Sequence, residues 1–210
     1  MKIKLNDIYA KGELTLIYGP ASSGKTSLAV KIALNEVLNG GIVLFVSTEN
    51  ELFIEKLSSS NDVLKKLVIV SVRNYFSQHF LITKTLPKIL KERYFTSLII
   101  DSITGLARLE EDYAKATFML KYQLASLLRE ARLRKIPIIL TSQVRAVIDE
   151  YEDYEATAKT ILEYWCNNIV RLSIIEKDIR EATIEKSSNP KIKGKKFVFK
   201  LIGGEIVKLK

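Results

Sequence analysis

The chain has one cysteine, Cys166, in 210 residues. That excludes an intrachain disulfide and a cysteine-built metal cluster, and it fits a reducing compartment. Histidine and tryptophan also occur once each, as His79 and Trp165. His79 reads as a surface or helix-start residue, and Trp165 and Cys166, just ahead of an apolar run, read as packing residues. No apolar run approaches the ~20 residues that a membrane helix requires. The opening Met-Lys-Ile-Lys-Leu-Asn-Asp has no signal-peptide apolar core, so a cytoplasmic location without membrane contact is expected. Acids are short as well: 24 Asp+Glu face 33 Lys+Arg, a formal net charge of +9, which favours an anionic partner such as nucleic acid. Repeats, low-complexity segments and linkers are missing, so residues 1–210, with 47% hydrophobic content, read as one domain with a sizeable core.

What the chain does contain is GPASSGKTSLAV, residues 19–30. Gly19, four residues, then Gly24, Lys25 and Thr26 make the G-x-x-x-x-G-K-[ST] phosphate loop. The apolar run Glu13-Leu14-Thr15-Leu16-Ile17-Tyr18 supplies the strand that the motif needs. Glycines let the backbone bend until its N–H groups converge on phosphates. Lys25 brings charge to the β- and γ-oxygens, and Thr26 offers its hydroxyl to Mg²⁺ at the positive end of the helix. Gly19, Pro20, Ala21, Ser22, Ser23, Gly24, Lys25, Thr26 and Ser27 are therefore the expected nucleotide-binding stretch, with ATP and Mg²⁺ as cofactors.

Beyond the loop, residues 27–39 keep helical spacing and stop at Gly40-Gly41. GIVLFVSTEN reads as a strand buried on both faces. A short helix over 51–57, the turn SSSND and the strand KKLVIVSV follow. HFLITKTLPKILKERYF reads as helical with a bend at Pro87, and TSLIIDSITG as a strand ending in an acid. DYAKATFMLKYQLASLLREARLRK is the longest expected helix, and IPIILTSQV the next strand. Such alternation predicts an α/β fold with a parallel sheet covered by helices on both faces. From about Asn167, NNIVRLSII, EATIEKS and KKFVFKLIGGEIVKL read as successive antiparallel strands added at one edge.

In an open parallel sheet, ligands sit beyond the carboxyl ends of the strands. Four strands here end in groups useful to a nucleotide: the phosphate loop, Glu49 after LFVST, Asp101 with Ser102 after SLIID, and Gln143 after IILTS. Asp101 is expected to hold Mg²⁺ opposite Thr26. Glu49 reads as the base or positioner of an attacking water, or as a helix N-terminal acid, with Glu51 a competing carboxylate. Gln143 reads as a γ-phosphate sensor or as a strand-end amide that satisfies local backbone.

GELTLIYGPASSGKT, VLFVSTEN, LIIDSITGL and PIILTSQV, in this order, resemble the RecA/RadA recombinase ATPase core. ILEYWCNNIVRL followed by a Lys-rich strand pair resembles especially the short archaeal RadA paralogues of the RadB type. The resemblance covers nearly the whole chain. It implies a RecA-like P-loop fold in which Lys25 and Thr26 bind phosphate and Mg²⁺, Asp101 is the Walker B acid, Glu49 the catalytic carboxylate and Gln143 the sensor. It also implies a weak ATPase that binds single-stranded DNA and modulates recombination and repair, with a RadA-type recombinase or other repair protein as partner. An ATP-dependent protein-binding regulator, KaiC-like or a recombinase-partner switch without DNA binding, is the alternative. A small P-loop kinase fits less well, because its lid is Arg-rich and residues 149–155 are acidic.

Against the full recombinase pattern, the chain reaches its first core strand at Glu13. That leaves no room for the amino-terminal helical domain or for the Phe-containing docking segment, so a filament is not expected, while a homo-oligomer stays open. The two family DNA loops correspond to TGLARLEEDY and VRAVIDEYEDYEATAKT. The second carries Asp149, Glu150, Glu152, Asp153 and Glu155, which should repel phosphate, although Tyr151 and Tyr154 are able to stack on bases. Positive charge gathers instead in KIKGKKFVFK, with Lys196, Val198 and Lys200 on one face of a strand and Phe197 and Phe199 on the other. A second cluster, REARLRK, holds Arg129, Arg132, Arg134 and Lys135. Each reads as a salt-sensitive DNA surface, or as an edge strand guarded by lysines and a solvated helix end. By family analogy, Lys186 falls where a neighbouring subunit's cation completes the site.

Overall fold

The computed structural model describes residues 4–48, 65–143 and 154–209. Strand β1 (Leu14–Gly19) leads through α1 (Lys25–Leu38) to β2 (Val43–Ser47), and β3 is Leu67–Ser71. Helix α2 (Tyr75–Phe80), a π-turn (Leu81–Thr85) and α3 (Leu86–Glu92) precede β4 (Ser97–Asp101). Helix α4 (Tyr113–Arg134) precedes β5 (Ile138–Gln143), and α5 (Tyr154–Trp165) precedes β6 (Asn168–Ile174). Three more strands follow: β7 (Ile179–Lys186), β8 (Lys196–Ile202) and β9 (Glu205–Leu209). They form one nine-stranded sheet in the order β3-β2-β4-β5-β1-β6-β7-β8-β9.

The central strands are buried along their length, and successive residues serve opposite faces. Leu16, Leu44, Val46, Leu98, Ile100 and Leu140 join the core beneath α2 to α5. Ile17, Phe45, Ile99 and Ile139 join the core beneath α1. This is why the runs carry no polar alternation. Helix α1 covers only part of its face. Phe197, Phe199, Ala182, Ile184 and Ile206 of the last three strands complete the same core.

Two expected features take a more particular form. The last four strands are successively antiparallel to one another, and the first of them, β6, joins the sheet parallel to β1, pairing Thr15↔Asn168 through Tyr18↔Arg171. Helix α5 returns the chain across the sheet, and such a crossover yields a parallel neighbour where a tight turn would reverse it. The glycine pair in KKFVFKLIGGEIVKL is such a turn, with Gly203 at φ 58° and Gly204 at φ 88°, as a type I′ hairpin requires. β8 is consequently internal and β9 takes the edge, so the lysines of β8 do not guard an edge strand. The bend expected at Pro87 is the π-turn over Leu81–Thr85 just ahead of it. Pro87 has no N–H to donate and its ring crowds the carbonyl four residues back, so the preceding turn widens.

Candidate functional site

Register brings the expected strand ends to one side of the sheet. Gly19 pairs with Gln143 across β1 and β5, and Ser47 with Asp101 across β2 and β4. The segment from Gly19 to Gly24 links β1 to α1, whose first residue is Lys25. Gly24 stands at φ 91° in the left-handed region, and an added Cβ would lie 3.3 Å from the Phe199 ring. At Gly19 a Cβ would meet the Leu172 carbonyl oxygen at 2.5 Å, a separation that only glycine avoids. Ser23 donates its backbone N–H to the Pro20 carbonyl at 3.3 Å. Lys25 folds its ammonium onto the same carbonyl at 2.8 Å. The Ser23 hydroxyl is buried and makes no hydrogen bond among the described residues. Thr26 is half-buried and Ser27 buried. A turn built of close backbone approaches, with a cation at its end and an unspent buried hydroxyl, fits a bound phosphate chain.

Neighbouring strands frame this turn with polar side chains. Asp101, only 3% exposed, accepts a short hydrogen bond from the Thr141 hydroxyl of β5. The Thr48 N–H donates to the Asp101 carbonyl at 2.9 Å. The Thr48 hydroxyl accepts from the Ser102 N–H at 2.9 Å and donates to the Ser102 carbonyl at 3.0 Å. The hydroxyls of Thr104 and Ser142 lie 2.8 Å apart. The acid is thus fixed from both sides. The Gln143 side-chain oxygen accepts from the Arg108 guanidinium at 3.5 Å, which ties the end of β5 to the segment after β4.

On the other flank the loop meets residues that sequence inspection did not single out. Arg180 of β7, 7% exposed, donates to the Ser22 carbonyl at 3.1 Å. It also donates to the carbonyls of Glu176, Lys177 and Ile179. Ser22 is one of two non-glycine residues with positive φ among those described, so the guanidinium holds the strained point of the loop. Beside β1, the Tyr18 hydroxyl donates to Glu185 at 2.6 Å and Arg171 pairs with the same carboxylate at 2.6 Å. Burial first, and then the Glu185 contact, push the Tyr18 hydroxyl well above its ordinary pKa.

Other expected site residues have varied positions. Glu49, Glu51 and Asp149 to Asp153 lie outside the described residues. Lys186 turns its ammonium onto the Glu163 and Cys166 carbonyls, at 2.9 and 2.7 Å. It closes the carboxyl end of α5 in its own chain, where a cation suits the helix dipole. Phe197 and Phe199 are buried together, rings 6.4 Å apart, and Lys196 pairs with Glu181 at 2.9 Å. Cys166 is buried, which pushes its thiol up to about 12. Trp165 packs against the core as expected. No helix among the described residues is long and apolar enough to cross a membrane.

A phosphate loop on β1, an acid at the end of β4 and a glutamine at the end of β5, in a mostly parallel sheet with antiparallel strands added, define a P-loop ATPase of the RecA-like class. No family model matches the chain. It is 36% identical over 186 residues to the DNA repair and recombination protein RadB of Methanocaldococcus jannaschii, a match covering 84% of each. A second RadB, from Methanococcus maripaludis, is 31% identical over 215 residues, covering 97% of this chain and 95% of the relative. A crystal structure of the RadB recombinase superposes with a TM-score of 0.72 at 26% identity, covering 94% of this chain and 91% of that one. The chain belongs to the RadB family of DNA repair and recombination proteins.

Proposed function

We propose that residues 1–210 act as one ATPase core that binds ATP with Mg²⁺, hydrolyses it slowly, binds single-stranded DNA and modulates homologous recombination. The observation that carries this reading is the convergence of the Gly19–Thr26 turn, Asp101 and Gln143 at one end of the sheet. In this reading the loop N–H groups and the Lys25 ammonium cradle the β- and γ-phosphates, leaving the Pro20 carbonyl when phosphate arrives. Thr26 and Asp101 hold the metal, and Thr141 keeps the Asp101 carboxylate aimed. Mg²⁺, when bound, neutralises charge that develops on the phosphate oxygens. Glu49 orients the attacking water, and Gln143 senses the γ-phosphate and passes its position to Arg108. Low turnover follows if a cation must come from a second subunit, because charge stabilisation in trans is worth orders of magnitude in rate.

The test is binding of a labelled single-stranded oligonucleotide across a salt series, with and without ATP and Mg²⁺, alongside phosphate release. Lys25→Ala should abolish nucleotide affinity while leaving the melting temperature of the free protein near that of the wild type. Unchanged ATP affinity in that variant would remove the nucleotide assignment. ATP binding with no DNA bound at low salt would instead favour a protein-binding switch.

A further inference from the structure

Two basic segments stand out in the sequence, one running into β8 and one at the end of α4, and the aromatic residues of these two elements fare differently in the fold. On β8 the rings face inward: Phe199 lies against Gly24, and both it and Phe197 are buried. On α4 they face outward: Phe118 is 59% exposed and Tyr122 56%. Their ring centroids are 4.7 Å apart and the planes are tilted by 54°. Only one of the two elements therefore offers rings and charge together.

We infer that the outer face of α4 is the track for single-stranded DNA, an assignment that rests on the DNA-binding reading above. Ala116, Met119, Leu120, Leu124, Leu127 and Ala131 turn the opposite face into the core. The outward positions carry Lys115, Lys121, Arg129 and Arg132, all exposed. Glu130, the one acid within the helix, is buried and held by Arg129 at 2.8 Å and Arg134 at 3.4 Å. No exposed carboxylate of α4 therefore opposes a phosphate. The half-buried Glu110 and the exposed Glu111 and Asp112 precede the helix, and Asp112 caps it by accepting from the Lys115 N–H at 2.9 Å. Towards the carboxyl end, a groove of about 540 Å³ runs between α4 and α5, lined by Arg129, Arg132, Leu133 and Trp165. Tyr164 stands exposed next to Trp165, edge-on at 5.8 Å. Glu163 on that side is paired with Lys159 at 3.6 Å. From Phe118 to Arg132 the helix rises ~21 Å, room for several nucleotides. Rings that stack on any base, interleaved with cations that follow the phosphates, give binding tolerant of sequence and sensitive to salt.

The experiment is fluorescence anisotropy of a labelled oligothymidylate with ATP and Mg²⁺ present, over a salt series. It uses the full chain in four forms: wild type, Lys121→Glu/Arg129→Glu/Arg132→Glu, Phe118→Ala/Tyr122→Ala, and Lys193→Glu/Lys200→Glu on the β8 side. ATP affinity and melting temperature of each form report that it is folded. The charge-reversed α4 variant should lose about 100-fold in affinity, and its slope of log K against log salt should flatten by about 2, since each lost phosphate contact on a single strand removes roughly 0.7. The aromatic variant should lose about tenfold or more with an unchanged slope, because stacking releases no counterions. The β8 variant should bind as the wild type. Wild-type affinity in either α4 variant, or loss confined to the β8 variant, would overturn the assignment. A wild-type protein that binds ATP but no oligonucleotide at low salt would overturn the DNA reading itself, and this track with it.

Discussion

On the β5 side the phosphate loop adjoins strand ends whose polar side chains bond one another, whereas on the β6 side it meets backbone, apolar rings and the Arg180 guanidinium. Thr141, Thr48 and Arg108 work through hydrogen bonds to Asp101, Ser102 and Gln143. The Leu172 carbonyl and the Phe199 ring work by occupying the space beside Gly19 and Gly24. One flank fixes the orientation of groups that meet charge, and the other fixes the path of the backbone. Losses on the two flanks should therefore differ in kind. A substitution on the first flank should act on metal-dependent nucleotide affinity, and one on the second should disturb the fold and the loop together.

The largest effect belongs to Gly19→Ala. Its Cβ would sit 2.5 Å from the Leu172 oxygen, and neither β1 nor β6 has slack, being paired residue by residue from Thr15↔Asn168 to Tyr18↔Arg171. Overpacking of this kind costs about 3 kcal/mol or more. Thermal denaturation should show the loss together with abolished ATP binding. A variant that melts like the wild type would show that the close approach is not a constraint.

Next is Arg180→Ala. Four carbonyls lose a charged donor inside a buried site, and the loss in stability should be about 3 kcal/mol. ATP affinity should fall about tenfold, because Ser22 is no longer held. Arg180→Lys keeps the charge without the planar fork, so it should recover part of the stability and little of the affinity. If both variants bind ATP as tightly as the wild type, Arg180 supports only the β6–β7 turn and has no hold on the loop.

The two flanks also differ in how far the sequence exposes them. GPASSGKT and the acid after SLIID announce themselves because backbone curvature and phosphate charge restrict which residues serve, and the restriction shows as a spacing. The runs LTLIY, VLFVS, SLIID and IILTS are apolar on both faces, so their place inside a covered parallel sheet is legible too. Arg180 carries no such mark. Its loop partner is 158 residues away and is a backbone carbonyl, for which side-chain pattern gives no cue. Phe199 alternates with lysines in a way that separates the two faces of β8 correctly, but its contact with Gly24 depends on how the last strands curl over α1. The direction of β6 is hidden for a related reason, since it depends on where α5 delivers the chain.

On the polar flank, Thr141→Val keeps the shape and removes the hydroxyl that donates to Asp101. A hydrogen bond to a charged group is worth about 2 kcal/mol, so stability should fall by about that amount. Mg²⁺-dependent ATP affinity should weaken while Mg²⁺-independent binding is kept. Equal loss in the two conditions would show that this flank, too, acts on the loop path and would erase the contrast.

The smallest effect lies away from both flanks and gives a baseline for them. His79 of α2 has its ring held below the ordinary imidazole pKa, first by burial and then by the Lys84 cation, while the Met119 backbone works the other way. A base with a depressed folded pKa is neutral in the fold and takes up a proton more readily when unfolded. Its contribution to stability is therefore complete above the ordinary value of about 6.5 and is lost as pH falls through that value towards the lower folded one. Melting temperature should decline across this acid window in the wild type, and His79→Gln should flatten the decline while leaving the neutral-pH value and ATP affinity near those of the wild type. An unchanged pH slope in His79→Gln would assign the acid sensitivity to another group. A parallel drop in ATP affinity would mean that α2 communicates with the nucleotide end of the sheet, through the Gln78 side chain that donates to the Ile103 carbonyl just beyond Asp101.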